Sequence, residues 1–386
     1  MAASHRLAIL LAAFALSLSS ASSAAVTLNP SQAAVLAECQ RQWQSQLRGW
    51  SKGGDCAQME GVRCNAAGFI VSMNVSNRVL ASPIPDAIGN LTTLMHLTLG
   101  NDSIKGSIPL SIFRLTNLVL FDLNYNSLAG SIPAGIGHLA ALSYLDLSRN
   151  YNITGSIPLE LESLTNLRFL HLGLMALTGP FPSWISGRTM LNVINFAYNL
   201  VTGSIPASIG STINLKVFNV WRNNLTGSIP ESIGSLTKLS RLDFSDNSLV
   251  GTIPEGIGNM KYITKLDFSR NQLTGTIPTS LSRLSDLQTL FLSGNMFSGS
   301  FPAWITGLPN ITTLDLSGNQ FSGPLPTALG ALKGLTKLSL GGNIFSGPLP
   351  AALGSLIGIK YLGLGGNQFS GPLPAALGSL KGLTYL

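Results

Sequence analysis

The residues of this chain that could carry acid–base or metal chemistry are few and scattered. Apart from His5 near the amino terminus, the histidines are His96, His138 and His171. Asp146 precedes His171 by 25 residues, close to the interval at which side chains recur in this sequence, so the two could lie side by side and form an acid–base pair. An open sheet surface would give them no water-excluding pocket, and a polar contact is therefore the favoured interpretation. No spacing typical of a metal site, a phosphate loop or a kinase is present. We expect neither catalysis nor a cofactor.

Side chains suited to recognition recur at intervals of about 24 residues. Aromatic and arginine side chains, which dominate binding hot spots, concentrate between residues 122 and 270. We expect the ligand-binding surface to contain Tyr125, Tyr144, Arg149, Phe169, His171, Tyr198, Trp221, Arg222, Arg241, Asp243, Asp246, Lys265, Asp267 and Arg270. The last three copies hold mostly serine and glycine at the equivalent positions, and we interpret them as a spacer.

The alternation of charge on this surface allows a second interpretation. Arg222, Asp246 and Arg270 alternate along one column of the predicted sheet. Exposed ion pairs of this kind contribute about 0–1 kcal/mol each. The charges could therefore form a solvated ladder instead of a ligand surface, and the sequence leaves this alternative open.

A repeat positions all of these side chains. A Gly-x-Ile-Pro-like motif places a proline every 24 residues from Pro85 to Pro374, thirteen times, with one step of 25 between Pro133 and Pro158. In each copy a Leu-x-Leu segment alternates with period two, which predicts a short strand with its leucines inward. One such strand cannot bury its face alone, so the copies should stack into a parallel sheet. The glycine before Ile-Pro suits a turn with positive φ, and the returning segment should be a short helix or 3₁₀ turn.

An asparagine follows the strand in ten copies and should bond the backbone of its own and the neighbouring turn. This structural asparagine ladder consists of Asn126, Asn150, Asn199, Asn223, Asn247, Asn271, Asn295, Asn319, Asn343 and Asn367. Arg78, Asp102 and Met175 take its place in the other three copies. Met175 has no polar group to offer, so we expect a local irregularity or an ordered water there.

The first 25 residues have the layout of a secretory signal peptide. His5 and Arg6 precede an apolar stretch over residues 7–18, and small residues follow up to Ala24 and Ala25. Twelve apolar residues are short for an uncleaved anchor, the alternative. We therefore expect a secreted, extracellular protein. Export makes six Asn-x-Ser/Thr sites candidates for glycosylation: Asn74, Asn90, Asn101, Asn152, Asn224 and Asn310.

Composition excludes other classes of protein. Charged residues make up 10% of the chain against about 25% in ordinary soluble domains. The formal net charge of +7 is spread thinly without a basic run, so we expect no nucleic-acid partner. No apolar run after residue 18 reaches the roughly 20 residues of a membrane span, so we expect no transmembrane helix in this chain.

The repeat resembles the plant-type leucine-rich repeat, LxxLxxLxLxxNxLxGxIPxxLGx, from about residue 73 to residue 386. The resemblance implies an α/β leucine-rich-repeat solenoid. Its form would be a curved right-handed superhelix with a concave parallel β-sheet and short 3₁₀ or helical convex segments. It also implies a domain order of signal peptide (1–25), amino-terminal cap with a disulfide (26–70) and thirteen repeats (71–386) without a carboxy-terminal cap.

The stretch before the repeats is similar to the amino-terminal cap of the same family. Residues 31–50 are predicted to form an amphipathic helix that includes Ala34 and Trp43. The cap motif C-x-W-x-G-V-x-C is represented with one extra residue, and Met59 stands where tryptophan is usual. The resemblance implies a Cys56–Cys64 disulfide. Cys39 is then left over, as a buried thiol or as half of an intermolecular disulfide.

The family resemblance implies recognition of an extracellular peptide or protein in signalling or defence, with a co-receptor kinase as a further partner. Two alternatives remain: a secreted inhibitor of a microbial cell-wall-degrading enzyme, and a structural protein that binds the wall. Because the chain ends at Leu386, on the first strand leucine of a fourteenth copy, we also expect a fragment or a truncated protein.

Overall fold

The computed structural model describes residues 26–43, 47, 50 and 54–386. The predicted signal peptide, residues 1–25, lies outside the described residues. The chain forms a leucine-rich-repeat solenoid in which every copy contributes one strand to a long sheet and one 3₁₀ turn to the opposite side. One continuous apolar core runs between these two layers through all the copies.

The amino-terminal helix, α1, spans Pro30–Trp43 and is shorter than predicted. Leu47 is not helical, Trp50 lies in a 3₁₀ turn, and Ala34 is exposed instead of facing the core. In a continuous helix Trp43 and Trp50 would be about 10 Å apart along the axis. Their ring centroids are instead 6.2 Å apart, because both indoles pack into the core beneath the first copy.

The main sheet has fourteen strands. The first pair is antiparallel, and every following pair is parallel and in register. The strands are Val62–Cys64, Ile70–Asn74, His96–Thr98, Leu120–Asp122, Tyr144–Asp146, Phe169–His171, Val193–Asn195, Val217–Asn219, Arg241–Asp243, Lys265–Asp267, Thr289–Phe291, Thr313–Asp315, Lys337–Ser339 and Tyr361–Gly363. In each parallel strand after Ile70–Asn74 the central residue points into the core, and the residues on either side point to the concave surface.

A second set of parallel strands, which the sequence did not reveal, lines one lateral face. It forms a four-stranded and a six-stranded sheet. The strands are Lys105–Gly106, Ser127–Ser131, Asn152–Ser156, Ala176–Thr178, Val250–Gly251, Gln272–Gly275, Met296–Ser300, Gln320–Gly323, Ile344–Pro348 and Gln368–Ser370. The glycines of the Gly-x-Ile-Pro-like motifs have positive φ, as predicted; Gly130 (φ +87°) in the strand Ser127–Ser131 and Gly227 (φ +76°) in the gap between the two lateral sheets are examples.

The returning half of each copy is a 3₁₀ turn, which begins directly after the motif proline. Proline suits this place because its φ is fixed near −65° and it has no N–H to leave unpaired. The 3₁₀ segments are Cys56–Gln58 in the cap and Asp86–Asn90, Leu110–Arg114, Ala134–His138, Leu159–Ser163, Ser183–Ile185, Ala207–Ser211, Glu231–Ser235, Glu255–Asn259, Thr279–Arg283, Ala303–Gly307, Thr327–Ala331, Ala351–Ser355 and Ala375–Ser379 in the repeats.

The asparagine side chains connect each copy to the one before it. Asn271 is typical: Nδ2 donates to the carbonyls of Phe244 and Phe268 at 3.0 and 3.2 Å, and Oδ1 accepts from the Leu249 N–H at 3.0 Å. Met175 interrupts the ladder. The N–H of Ile153, which an asparagine at 175 would reach, instead donates to the carbonyl of Asn150 at 3.0 Å. This is the predicted local irregularity, and it lies next to the single step of 25 residues.

The cap contains the expected disulfide, between Cys56 and Cys64. Cys39 is a fully buried free thiol on α1, and burial raises its pKa to about 12. The thiol interpretation is therefore the one that the structure supports. Met59 is buried where the family has tryptophan, and Trp50 donates from Nε1 to the carbonyl of Glu60 at 2.9 Å.

Candidate functional site

One column of predicted site residues does not lie in the strands at all. Each strand of the concave sheet is only three residues long in most copies, and the column begins beyond its end. Its residues occupy the left-handed region, with φ between +52° and +67° in nine successive copies. We name this set the left-handed column: Asn77, Asn101, Tyr125, Arg149, Leu174, Tyr198, Arg222, Asp246 and Arg270.

Glycine takes over the same position in the last four copies, with Gly294, Gly318, Gly342 and Gly366 at φ of +64° to +69°. Glycine adopts this conformation without strain, whereas L-residues with a Cβ do so at a cost of about 1–2 kcal/mol. These glycines therefore satisfy the turn, and this corrects the interpretation that they mark a spacer.

The centre of the left-handed column is a connected cluster of aromatic and charged side chains. The guanidinium of Arg222 lies 4.4 Å from the ring centroid of Tyr198, and the Tyr198 and Trp221 rings are 5.9 Å apart. Trp221 donates from Nε1 to Asp246 at 2.9 Å, and Arg270 lies 3.4 Å from the other oxygen of that carboxylate. Five of the predicted site residues thus lie on one continuous surface.

The charges on the concave surface are paired only in part. Lys265 contacts Asp243 at 2.8 Å and Asp267 at 3.2 Å. Burial alone would lower the pKa of Lys265, but these two carboxylates raise it above its usual value. In contrast, Arg149, Arg222 and Arg241 form no ion pair with any described residue, and all three are exposed. The ladder of alternating charges is therefore incomplete, because three arginines lack an acidic partner among the described residues.

A second group surrounds Tyr144 on the strands themselves. Its ring lies 5.8 Å from Phe169 and 5.7 Å from His171, and its hydroxyl donates to Asp146 at 3.3 Å. Burial lowers the pKa of His171 against the opposing effect of Asp146. Burial, and then Asp146, raises the pKa of Asp122 to about 7. His171 therefore belongs to an aromatic cluster, and no hydrogen bond joins it to Asp146 within the described part of the chain.

Sequence reasoning missed two features of the concave surface. Leu120, Val193 and Val217 share the column of Tyr144 and Phe169 and extend it as an apolar strip, although Leu120 and Val193 are largely covered by their neighbours. The last copies also carry an aromatic and charged cluster, which contradicts the spacer interpretation for their strands. Lys337 lies 3.2 Å from Asp315, 5.7 Å from the Phe291 ring and 5.2 Å from the Tyr361 ring; Tyr361 stacks on Tyr385 at 4.3 Å. Lys337, Tyr361 and Tyr385 follow one another at intervals of 24 residues, and this spacing is the signal in the sequence that points to the cluster.

The remaining predicted residues concern modification and ligands. All six sequon asparagines are exposed, so their glycosylation stays a prediction. Asn101 donates from Nδ2 to Asn77 at 2.7 Å in the left-handed column. Within residues 26–43, 47, 50 and 54–386, no cluster of histidine, cysteine, aspartate or glutamate could hold a metal ion. Over the same residues, no helix is long and apolar enough to cross a membrane.

Comparison with known proteins places this architecture in a family. Two leucine-rich repeat family models match it, one at residues 239–297 and 261–321 and the other at 117–139, 141–164, 214–236, 334–356 and 358–380. The chain belongs to the leucine-rich repeat family. Its repeats are similar to those of plant receptor-kinase ectodomains of known structure. The search of curated proteins gives no match.

Three solved structures illustrate the likeness. PEPR1–AtPEP1 has 29% identity and a TM-score of 0.62 over 82% of this chain and 51% of its own. A TDR receptor has 30% identity and a TM-score of 0.65 over 81% of this chain and 67% of its own. The ectodomain of the Arabidopsis thaliana receptor kinase GASSHO1/SCHENGEN3, in complex with CASPARIAN STRIP INTEGRITY FACTOR 2, has 27% identity and a TM-score of 0.55 over 91% of this chain and 55% of its own. The chain thus spans about half the length of two of these proteins.

Proposed function

We propose that this protein is an extracellular, non-catalytic recognition scaffold that binds a peptide or protein ligand along the left-handed column and the adjoining strand residues. The contact residues would be the fourteen aromatic and charged side chains predicted from the sequence. Two similar receptor structures, PEPR1–AtPEP1 and GASSHO1/SCHENGEN3 with its factor, are complexes, and they support this class of function. Signalling with a co-receptor kinase and a location at the cell wall or plasma membrane belong to the same proposal.

The observation that carries the proposal is the strain of the left-handed column. Tyr125, Arg149, Tyr198, Arg222 and Arg270 each hold a large side chain at positive φ, where the fold itself accepts glycine four times. At about 1–2 kcal/mol each, these side chains destabilise the solenoid relative to glycine. Backbone strain at exposed aromatic and arginine residues is typical of a functional surface. The exposed contacts of these side chains stabilise the fold by too little to offset the free energy that the strain costs.

A peptide library displayed on phage and selected on the immobilised protein tests the proposal. Enriched peptides should bind the Tyr198→Ser/Arg222→Ser variant at least about tenfold more weakly, because an aromatic and an arginine contact are both lost. Lys261→Ser/Tyr262→Ser is a matched control, since it removes one cation and one exposed aromatic outside the concave strands. Peptides that lose affinity equally for both variants, or a library with no enrichment, would contradict the proposal.

A further inference from the structure

A separate cleft opens where four successive concave strands begin. Its volume is about 490 Å³, within the range of roughly 300–1,000 Å³ that is usual for small-ligand sites. Val119, Leu120, Tyr144, Phe169 and Met190 supply its apolar and aromatic lining. We name this cleft the strand-start pocket. No residue of the left-handed column lines it.

The aromatic wall of the strand-start pocket is held in place by its neighbours. The Tyr144 and Phe169 rings are 5.8 Å apart and tilted by 39°. Because the Tyr144 hydroxyl already donates to Asp146, the tyrosine contributes ring surface and not a free polar group. The strand register fixes Leu120, Tyr144 and Phe169 side by side in one column, so the wall is part of the sheet and not of a loop.

The pocket carries one open positive charge. Arg168 is exposed at its edge, and its guanidinium has no ion pair or hydrogen bond with any described residue. No acidic side chain lines the pocket. The polar amides of the lining are partly engaged: Asn166 donates to the carbonyl of Ala140 at 3.0 Å, and Asn192 to that of Met190 at 2.8 Å. Burial lowers the pKa of His96, the other basic group of the lining, so this imidazole is neutral near pH 7.

We propose that the strand-start pocket binds a ring-sized apolar group that carries one carboxylate. The ring would lie against Tyr144, Phe169 and Met190, and the carboxylate would accept charge-assisted hydrogen bonds from Arg168. Two sources could supply this chemistry: a free aromatic acid, or the last residue of a peptide. The inference rests on the proposed function only in that Tyr144 and Phe169 belong to the same concave surface.

Calorimetric titration of the full chain with 2-naphthoate and with its neutral isostere 2-naphthamide tests the assignment. We expect one site for naphthoate and weaker binding of the amide. Arg168→Gln should weaken naphthoate by about tenfold and leave the amide nearly unchanged, because only the charge-assisted bonds are lost. Phe169→Ala should weaken both probes. Arg114→Gln is the control, since Arg114 is an exposed arginine outside the pocket.

The result that would overturn the assignment is an equal effect of Arg168→Gln on both probes, no effect of Phe169→Ala, or no saturable binding. A short peptide ending in phenylalanine, with a free or an amidated terminus, identifies the source: tighter binding than naphthoate points to a peptide terminus and weaker binding to a free acid. The Tyr198→Ser/Arg222→Ser variant keeps the two proposals apart. It should lose the selected peptides and retain naphthoate, so either proposal can fail alone.

Discussion

Replacing Asp102 by asparagine should stabilise the protein at neutral pH and remove part of its pH dependence. Asp102 holds a ladder position but is fully buried, and its Oδ2 has no hydrogen-bond partner among the described residues. Its Oδ1 accepts from the Arg78 N–H at 2.6 Å. Each ladder asparagine donates to the carbonyls 27 and 3 residues before it, as Asn271 does to Phe244 and Phe268. An asparagine at position 102 would therefore donate to the carbonyls of Val75 and Leu99. An ionised carboxylate cannot make those bonds, whereas the protonated carboxyl present at pH 4 can donate one of them.

The magnitude follows from the pKa of Asp102, which burial raises from 3.8 to about 6 despite the opposing N–H groups of Arg78 and Val79. At about 1.4 kcal/mol per unit, ionisation of this group costs the folded state up to about 3 kcal/mol. Because the folded pKa lies above the unfolded one, the stability linked to this proton is complete below about pH 4. It is lost as the pH rises to about 6, and it is absent at pH 7.

Thermal unfolding between pH 4 and pH 7.5 measures this difference. With an unfolding entropy of about 2 cal/mol/K per residue over roughly 330 residues, 3 kcal/mol corresponds to a rise in Tm of roughly 4 °C at pH 7 and almost none at pH 4. Asp286→Asn is the charge-matched control on an exposed site. An Asp102→Asn variant that is equally stabilised at both pH values, or destabilised at pH 7, would refute the reasoning. The second result would mean that the ionised carboxylate is needed by the backbone N–H groups.

Three further predictions concern the scaffold. Gly318→Ala should destabilise by about 1–2 kcal/mol in chemical denaturation, because φ is +64° while the added Cβ would meet only ordinary contacts at 3.4 Å or more; an unchanged midpoint would argue against strain in the column. Asn271→Ala should cost about 2–4 kcal/mol in the same assay, since the buried N–H of Leu249 loses its acceptor; a cost below 1 kcal/mol would mean that the ladder is dispensable. Cys39 should resist a thiol reagent until the protein unfolds, because its thiol is buried with a pKa of about 12; rapid labelling of the native protein would contradict this burial.

The sequence predicts those features that depend on residues one period apart. The parallel strands, the ladder represented by Asn271 and the turn at Gly227 all follow from a residue type repeated at the same position, because identical copies must make identical contacts. The Cys56–Cys64 disulfide came instead from the family resemblance. The irregularity at Met175 was also predictable, because a residue that departs from the repeated type cannot make the repeated contact.

The features that the sequence did not predict depend on geometry between copies. The Tyr144 and Phe169 rings that line the strand-start pocket are tilted against each other, and no spacing of residues in the sequence reports such a tilt. The packing of Trp50 against Trp43, with ring centroids 6.2 Å apart, is a tertiary contact that the helical pattern of the sequence does not predict. The left-handed column could have been predicted from one feature of the sequence. Glycine occupies this position in four copies, and glycine at a repeated position indicates positive φ there in every copy.

The backbone strain of the left-handed column can be altered without unfolding the solenoid, because most of the side chains that hold successive copies together lie outside the column. The ladder amides and the core rings connect successive copies without any residue of the left-handed column; Phe244 and Phe268, for example, pack edge to face with their centroids 6.0 Å apart. A change in the column therefore leaves the ladder and the core intact, and its effect on folding is set by the local φ preference against the exposed contacts that the column itself makes, such as that of Arg222 with Tyr198. Arg222→Gly should accordingly stabilise the fold or leave it unchanged while it removes a cation from the concave surface. A protein that gains stability and loses ligand binding by the same substitution would show that the strain of the column is retained for recognition.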